Sequence, residues 1–188
     1  RTKEAINQAY ENGLLGKNIF GSDFSFDIEV SLTGDSYVAG EETALMESVE
    51  GKSARPRSRP PFPAAYGVWG KPSTINNVKS LSYISEIIRN GSEWFKSIGT
   101  ESSSGTAIVC LSGDILNPGM YEVEMGISIK DVVEKIGGGI PDGRKLKMLQ
   151  TGGPLGGVLG PDSLKIKIDF DEKAKAGAIL GSGGIIII

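Results

Sequence analysis

The chain has 188 residues, with 20 basic and 23 acidic side chains for a net charge of −3. That length buries a real core as one ordinary domain or two small ones, and 39% hydrophobic with 23% charged residues excludes a disordered or collagen-like chain. A mild acidic balance argues against a nucleic-acid binder, which carries a basic face. A single cysteine, Cys110, excludes an internal disulfide and a cysteine-built metal or iron–sulfur site. The absence of histidine excludes Ser-His-Asp and Cys-His catalysis and a His-based zinc site. An enzyme built this way leaves the difficult chemistry to a cofactor. No apolar run reaches the about 18 residues of a membrane span and no signal peptide opens the chain, which points to the cytoplasm.

In chain order, Ala5, Ile6, Ala9 and Tyr10 predict a helix over 2–12, stopped at Gly13. Phe24, Phe26, Ile28, Val30 and Leu32 alternate with polar residues and predict a half-buried strand over 23–32. Gly34-Asp35 makes a turn, and a helix runs over 41–50. The segment 51–63 carries Lys52, Arg55, Arg57 and Arg59 and then Pro60-Pro61-Phe62-Pro63, a stiff extended loop. Helices follow over 78–89, with Asn76 or Asn77 as N-cap, and over 92–98.

The stretch 99–105 reads as a linker and a domain boundary. Beyond it come strands 106–111 and 120–123, a helix over 129–136 capped by Ser128, and short strands over 145–150, 164–168 and 185–188. That order suits a small α+β unit. Cys110 reads as a buried, inert thiol. The uncapped Ile185–Ile188 run reads as a bare strand prone to aggregation, and with the Arg1 start it suggests a chain excised from a longer one.

Three segments carry candidate chemistry. In 34–45, Gly40 lets backbone approach a ligand, while Glu41 and Glu42 either accept from hydroxyls such as a ribose diol or only complement a helix dipole. The 52–62 loop either clamps phosphates and stacks a base on Phe62, or is a solvated loop packed by its prolines. Asn76-Asn77 either donates amides to a ring or caps the following helix. The glycine-rich 152–157 and 181–184 segments read as connections, not as a phosphate loop.

Together the residues Tyr37 to Leu45, Glu50-Gly51-Lys52, Arg55-Pro56-Arg57, Pro60 to Pro63 and Gly70 to Val78 resemble the NADH- and FMN-binding flavoprotein subunit of respiratory complex I. The same family serves NAD-linked hydrogenases and formate dehydrogenases. Leu15 to Ile19 and Phe26 to Val30 fit it too, and the second half resembles the SLBB domain that follows in that family.

The resemblance implies an α/β part of an FMN/NADH-binding domain over 1–99, a β-grasp-like α+β SLBB domain over 106–176, and a connection over 177–188 towards an iron–sulfur domain outside this chain. It places Tyr37, Gly40, Glu42, Asn76 and Asn77 at FMN, Glu41 and Glu42 towards NADH, Phe62 at the adenine and Arg59 where the family often has Lys. Glu42, nearest the flavin and nicotinamide, takes the catalytic position. Glu41 would select NADH over NADPH. The implied cofactors are FMN and NAD(H), with a 4Fe-4S cluster only beyond this chain and no metal within it. The implied partners are other subunits of an NADH-oxidising complex, peripheral on the inner face of the cell membrane through those subunits. A chain of this extent alone would be inactive. The rival reading is a non-catalytic SLBB module that mediates subunit contacts. Ala39, where Cys is frequent, and Lys79, where Glu is usual, depart from the family pattern.

Overall fold

A computed structural model describes residues 1–34, 36–153, 156–171, 181 and 183–188. Asp35 of the expected turn, Pro154-Leu155 and Ser182 of the glycine-rich segments, and 172–180, across the expected end of the second domain and the start of the connection, lie outside the described residues. The chain forms two compact units, 1–77 and 78–188.

In the first unit, α1 (Thr2–Glu11) forms as its spacing predicts. The strand expected over 23–32 does not. A strand needs a neighbour for its backbone groups, and among the described residues the segment makes one bridge, Gly16 with Phe26 by two hydrogen bonds of 2.8 and 3.0 Å, besides Ile19 N–H on the Phe24 carbonyl at 2.8 Å. Phe24, Phe26 and Leu32 consequently stay 62%, 52% and 83% exposed. The Tyr10 hydroxyl donates to Asp27 Oδ1 at 2.9 Å and ties α1 to this segment. A turn over 37–40 leads into α2 (Glu42–Val49), whose inner face buries Thr43, Ala44, Met46 and Ser48. The 51–63 segment is irregular, as its prolines require.

The second unit starts with α3 (Val78–Asn90) and α4 (Ser92–Lys96). Helix α3 forms where its period predicts, yet Val78, Leu81, Ile84 and Ile88 along it are exposed. Periodicity specifies a helix and its stripe, not the partner that covers the stripe. The unit boundary falls ahead of 99–105 because these helices are tied to the sheet. Tyr83 donates to the Thr106 carbonyl at 2.7 Å and packs against Phe95 with ring centroids 5.2 Å apart and the rings tilted by 53°. The 99–105 stretch is itself a closed turn, with Gly105 N–H on the Ile98 carbonyl at 2.7 Å. Buried Asp169 accepts from Thr100 Oγ1 and from Ser102 Oγ.

The sheet holds β1 (Thr106–Gly113), β2 (Gly119–Glu124), β3 (Leu149–Thr151), β4 (Val158–Leu159) and β5 (Gly184–Ile187) in the order β2-β1-β5-β3-β4. The β1–β5 pair is parallel and the other pairs are antiparallel. The isoleucine run is therefore not a bare edge: β5 sits in mid-sheet, with Ile185 and Ile187 buried. They join Val109, Leu111, Leu149, Ile129, Val132 and Val133 in one core. Side chains alternate across a strand, so Cys110, between Val109 and Leu111, points to the other face and is half-buried rather than fully buried.

The helix predicted over 129–136 forms as α5 (Ile129–Asp131) running into a π-helical turn at Val132–Ile136, with Ser128 as N-cap. The strand expected over 145–150 shortens to β3, and that expected over 164–168 becomes a 3-10 turn at Pro161–Lys165 with one bridge between Lys167 and Ser128.

Thr151 Oγ1, at the end of β3, is buried with no hydrogen-bond partner among the described residues. A buried hydroxyl without a partner costs about 1–3 kcal/mol. Thr151→Val, which swaps that hydroxyl for a methyl, is expected to leave the urea midpoint unchanged or raise it. A fall of the midpoint would show that the hydroxyl is bonded.

Candidate functional site at the N-terminus of helix α2

Helix α2 starts on a carboxylate. Glu41 is its N-cap: Oε2 accepts from the Thr43 and Ala44 backbone N–H groups, each at 2.9 Å, and from the Thr43 hydroxyl. Bonds to the charged form favour it. The Thr43 hydroxyl, followed by the two amides and by Arg59, holds the Glu41 carboxyl below its ordinary range, so it is ionised at neutral pH. Oε2 is committed to the cap, and Oε1 is the oxygen left to face Arg59 Nη2, at 3.6 Å. Arg59 also pairs with Glu42. The structure thus joins Glu41, Glu42 and Arg59 directly, as one partly exposed cluster.

The other expected residues lie around it in the chain. Tyr37 and Gly40 form the turn that enters α2, closed by Ala39 N–H on the Ser36 carbonyl and Glu41 N–H on the Val38 carbonyl, both at 3.0 Å. A Cβ at Gly40 would meet nothing within 4 Å, so backbone is open to a ligand there. Phe62 is 60% exposed three residues after Arg59, and Asn76 and Asn77 are exposed ahead of α3.

Two basic residues of the loop are not free to clamp phosphate. Arg57 pairs with Glu47 and, at 2.8 Å, with Glu50, while Lys52 pairs with Glu50 at 2.6 Å. Glu47 and Glu50 stand three residues apart on one side of the last turn of α2, a spacing that could have signalled this clamp. Glu50 also accepts from Trp69 N–H at 2.8 Å, and its side chain is only 6% exposed. These charges border a cleft of about 600 Å³ that includes Met46, Tyr66 and Trp69, and none of the eight expected site residues lines it.

The Lys52 ammonium, then Arg57, then the Trp69 amide pull the Glu50 carboxyl from its ordinary 4.5 to about 2. A carboxyl with a lowered folded pKa contributes stability above its unfolded value and loses it as pH falls. Acid unfolding is expected to steepen as pH drops from 4.5 towards 2, and Glu50→Gln should flatten that slope. An unchanged slope in urea melts across this range would contradict the clamp.

Sequence reading did not single out Thr43, whose hydroxyl accepts from Arg57 N–H at 2.8 Å while donating to Glu41. A Ser or Thr just inside an acidic N-cap is the available signal. Among the described residues no group of three or more His, Cys, Asp or Glu is arranged to hold a metal ion. No helix of the described residues is long and apolar enough to cross a membrane.

Residues 1–86 match the family described as the Nuo51 FMN-binding domain, and residues 108–159 match the SLBB domain. This is a Nuo51 FMN-binding region joined to an SLBB domain. All eight expected site residues fall inside the Nuo51 region. Over its whole length the chain is 50% identical to the NADP-reducing hydrogenase subunit HndC of Solidesulfovibrio fructosivorans, covering 38% of that protein. It is 44% identical to an NADH-quinone oxidoreductase subunit of Rhizobium meliloti (strain 1021), covering 45% of it. The chain therefore spans less than half the length of these curated relatives. A crystal structure of an NAD+-reducing NiFe hydrogenase in the H2-reduced state matches 87% of this chain, at 36% identity and a TM-score of 0.75, and 27% of that chain is covered.

Proposed function

We propose that this Nuo51–SLBB chain is part of an oxidoreductase subunit that accepts hydride from NADH onto FMN and passes the electrons to iron–sulfur clusters. The observation that carries this reading is the Glu41–Glu42–Arg59 cluster at the entry to α2, beside the open backbone of Gly40 and within a region of the FMN-binding family.

The exposed side chains fit a flavin. The Tyr37 hydroxyl and the Asn76 and Asn77 amides supply both donors and acceptors for ring and ribityl polar atoms, and Gly40 allows a flat ring close to the backbone. When bound, FMN supplies two-electron uptake and single-electron release. The protein's own residues bind and orient. Glu42 stands nearest the reacting rings, Glu41 Oε1 accepts from the adenosine ribose, Arg59 balances both carboxylates, and Phe62 offers a stacking face to adenine. Hydride transfer between cofactors needs no protein base, which suits a chain without histidine.

The domain reading assigns 1–99 to the FMN/NADH-binding domain and 106–176 to a β-grasp-like SLBB domain; of the 177–188 segment read as a connection, β5 (Gly184–Ile187) is instead the middle strand of the same sheet. The partners are other subunits of an NADH-oxidising complex, which hold the protein at the membrane's inner face. One relative is named NADP-reducing and another NADH-quinone oxidoreductase, so nucleotide choice is a property of individual members. The ionised Glu41 favours NADH here.

The test is flavin absorbance and NADH-dependent dye reduction in the full-length protein, alongside the same measurements on residues 1–188. The full-length protein is expected to show both, and the 188-residue chain little of either. Absence of both signals from the full-length protein would sink the oxidoreductase reading and leave the SLBB unit as an interaction module.

A further inference from the structure

We propose that Thr43 is a positioning residue of the nucleotide site, its hydroxyl fixing the separation between the Glu41–Glu42 pair and Arg59; this rests on the oxidoreductase reading above. Three observations converge. Thr43 is 1% exposed, so its side chain has no water to exchange partners with. Its single hydroxyl proton goes to Glu41 Oε2, while Thr43 Oγ1 itself accepts the backbone N–H of Arg57 at 2.8 Å, 14 residues along the chain. Arg57 is the second residue before Arg59, which meets Glu42 and lies 3.6 Å from Glu41 Oε1.

A hydroxyl has one proton to donate, and here both its donor and an acceptor position are used. It therefore sets the carboxylate's rotation and the loop's position together. The Arg57 guanidinium, held by Glu47 and by Glu50 at 2.8 Å, anchors the loop independently. Removing the hydroxyl leaves the loop attached and Oε2 on its two amides, but removes the one bond that ties the carboxylate to the loop, so that Glu41 Oε1 and Arg59 shift against each other. The consequence falls on nucleotide binding rather than on the flavin or the hydride step.

The experiment compares Thr43→Val and Thr43→Ser in the full-length protein. It reads ADP-ribose affinity by calorimetry, NADH KM and kcat, bound flavin, and thermal midpoint. Misplacing a charge-assisted contact of this kind is worth about tenfold or more. Thr43→Val is expected to raise the ADP-ribose Kd and the NADH KM about tenfold, with kcat within about twofold and flavin content unchanged. Thr43→Ser is expected to match the unmodified protein. Should Thr43→Val not fold, Thr43→Ala gives the same reading. An unchanged Kd in the hydroxyl-free variant, an equal loss in Thr43→Ser, a joint fall of kcat and flavin with affinity, or failure of both hydroxyl-free variants to fold each overturns the proposal. If the unmodified full-length protein neither binds ADP-ribose nor oxidises NADH, the function reading has failed instead, before any variant is read.

Discussion

Gly113→Ala is expected to destabilise the SLBB-containing unit by about 3–5 kcal/mol, at the upper end of single-substitution effects. Gly113 ends β1 at φ +84°, a left-handed conformation that side chains rarely adopt. A Cβ there would lie 2.1 Å from the Ile187 carbonyl oxygen and 2.9 Å from its nitrogen. Neither group is free to give way. Ile187 is Gly113's partner in the parallel β1–β5 pair, and the next amide, Asp114 N–H, donates to that same carbonyl at 2.9 Å. The substitution must therefore strain the backbone or part the two strands in mid-sheet, where Ile185 and Ile187 are buried. Urea unfolding of the 188-residue chain measures it. A loss below about 1 kcal/mol, the ordinary cost of a tolerated change, would mean that β1 and β5 do not meet in this register.

Glu41→Gln in the full-length protein is expected to shift the NADH to NADPH ratio of kcat/KM towards NADPH by about tenfold or more. Because Oε2 is held by two amides and a hydroxyl, one oxygen, Oε1, is left to meet a ribose hydroxyl, and it carries the charge that repels a 2′-phosphate. Gln can keep a carbonyl on the cap amides and present its NH2 where Oε1 stood, a donor that a phosphate accepts. A bond to a charged group is worth about 1.5–3 kcal/mol, and each 1.4 kcal/mol is tenfold in affinity. The cap itself survives at a cost of a few tenths to about 1 kcal/mol, so the thermal midpoint should move little. Glu42→Gln is expected instead to lower kcat/KM for both nucleotides, since it releases Arg59 at the reacting end. An unmoved ratio in Glu41→Gln would remove Glu41 from the adenosine ribose.

The helices and the Ser128 cap were legible because their causes are local. Apolar spacing in 2–12 and 78–89, acidic residues at 41–42 and Ser128 three residues before the Asp131 amide act within one or two turns. The β1–β2 hairpin was legible for the same reason, its Asn117-Pro118-Gly119 turn lying between two short apolar runs. Of the site, the sequence singled out Glu41, Glu42 and Arg59, and the structure joins them. It did not show that Arg57 is taken by Glu47 and Glu50, because pairing across up to 10 residues depends on how the proline-rich loop folds back on α2.

Alternation did not decide which segment became a strand. Phe24 to Leu32 carries a clean period of two and stays exposed, while Ile185–Ile188, with no polar alternation at all, becomes the middle strand of the sheet. A strand's hydrogen bonds are made to another segment, so its own residues fix its period but not its neighbour. Sequence alone thus determined the helices and the identity of the charged residues at the start of α2. The tertiary structure decided which strands found partners and which cations remained available, because each of these depends on groups far apart in the chain competing for the same few donors and acceptors.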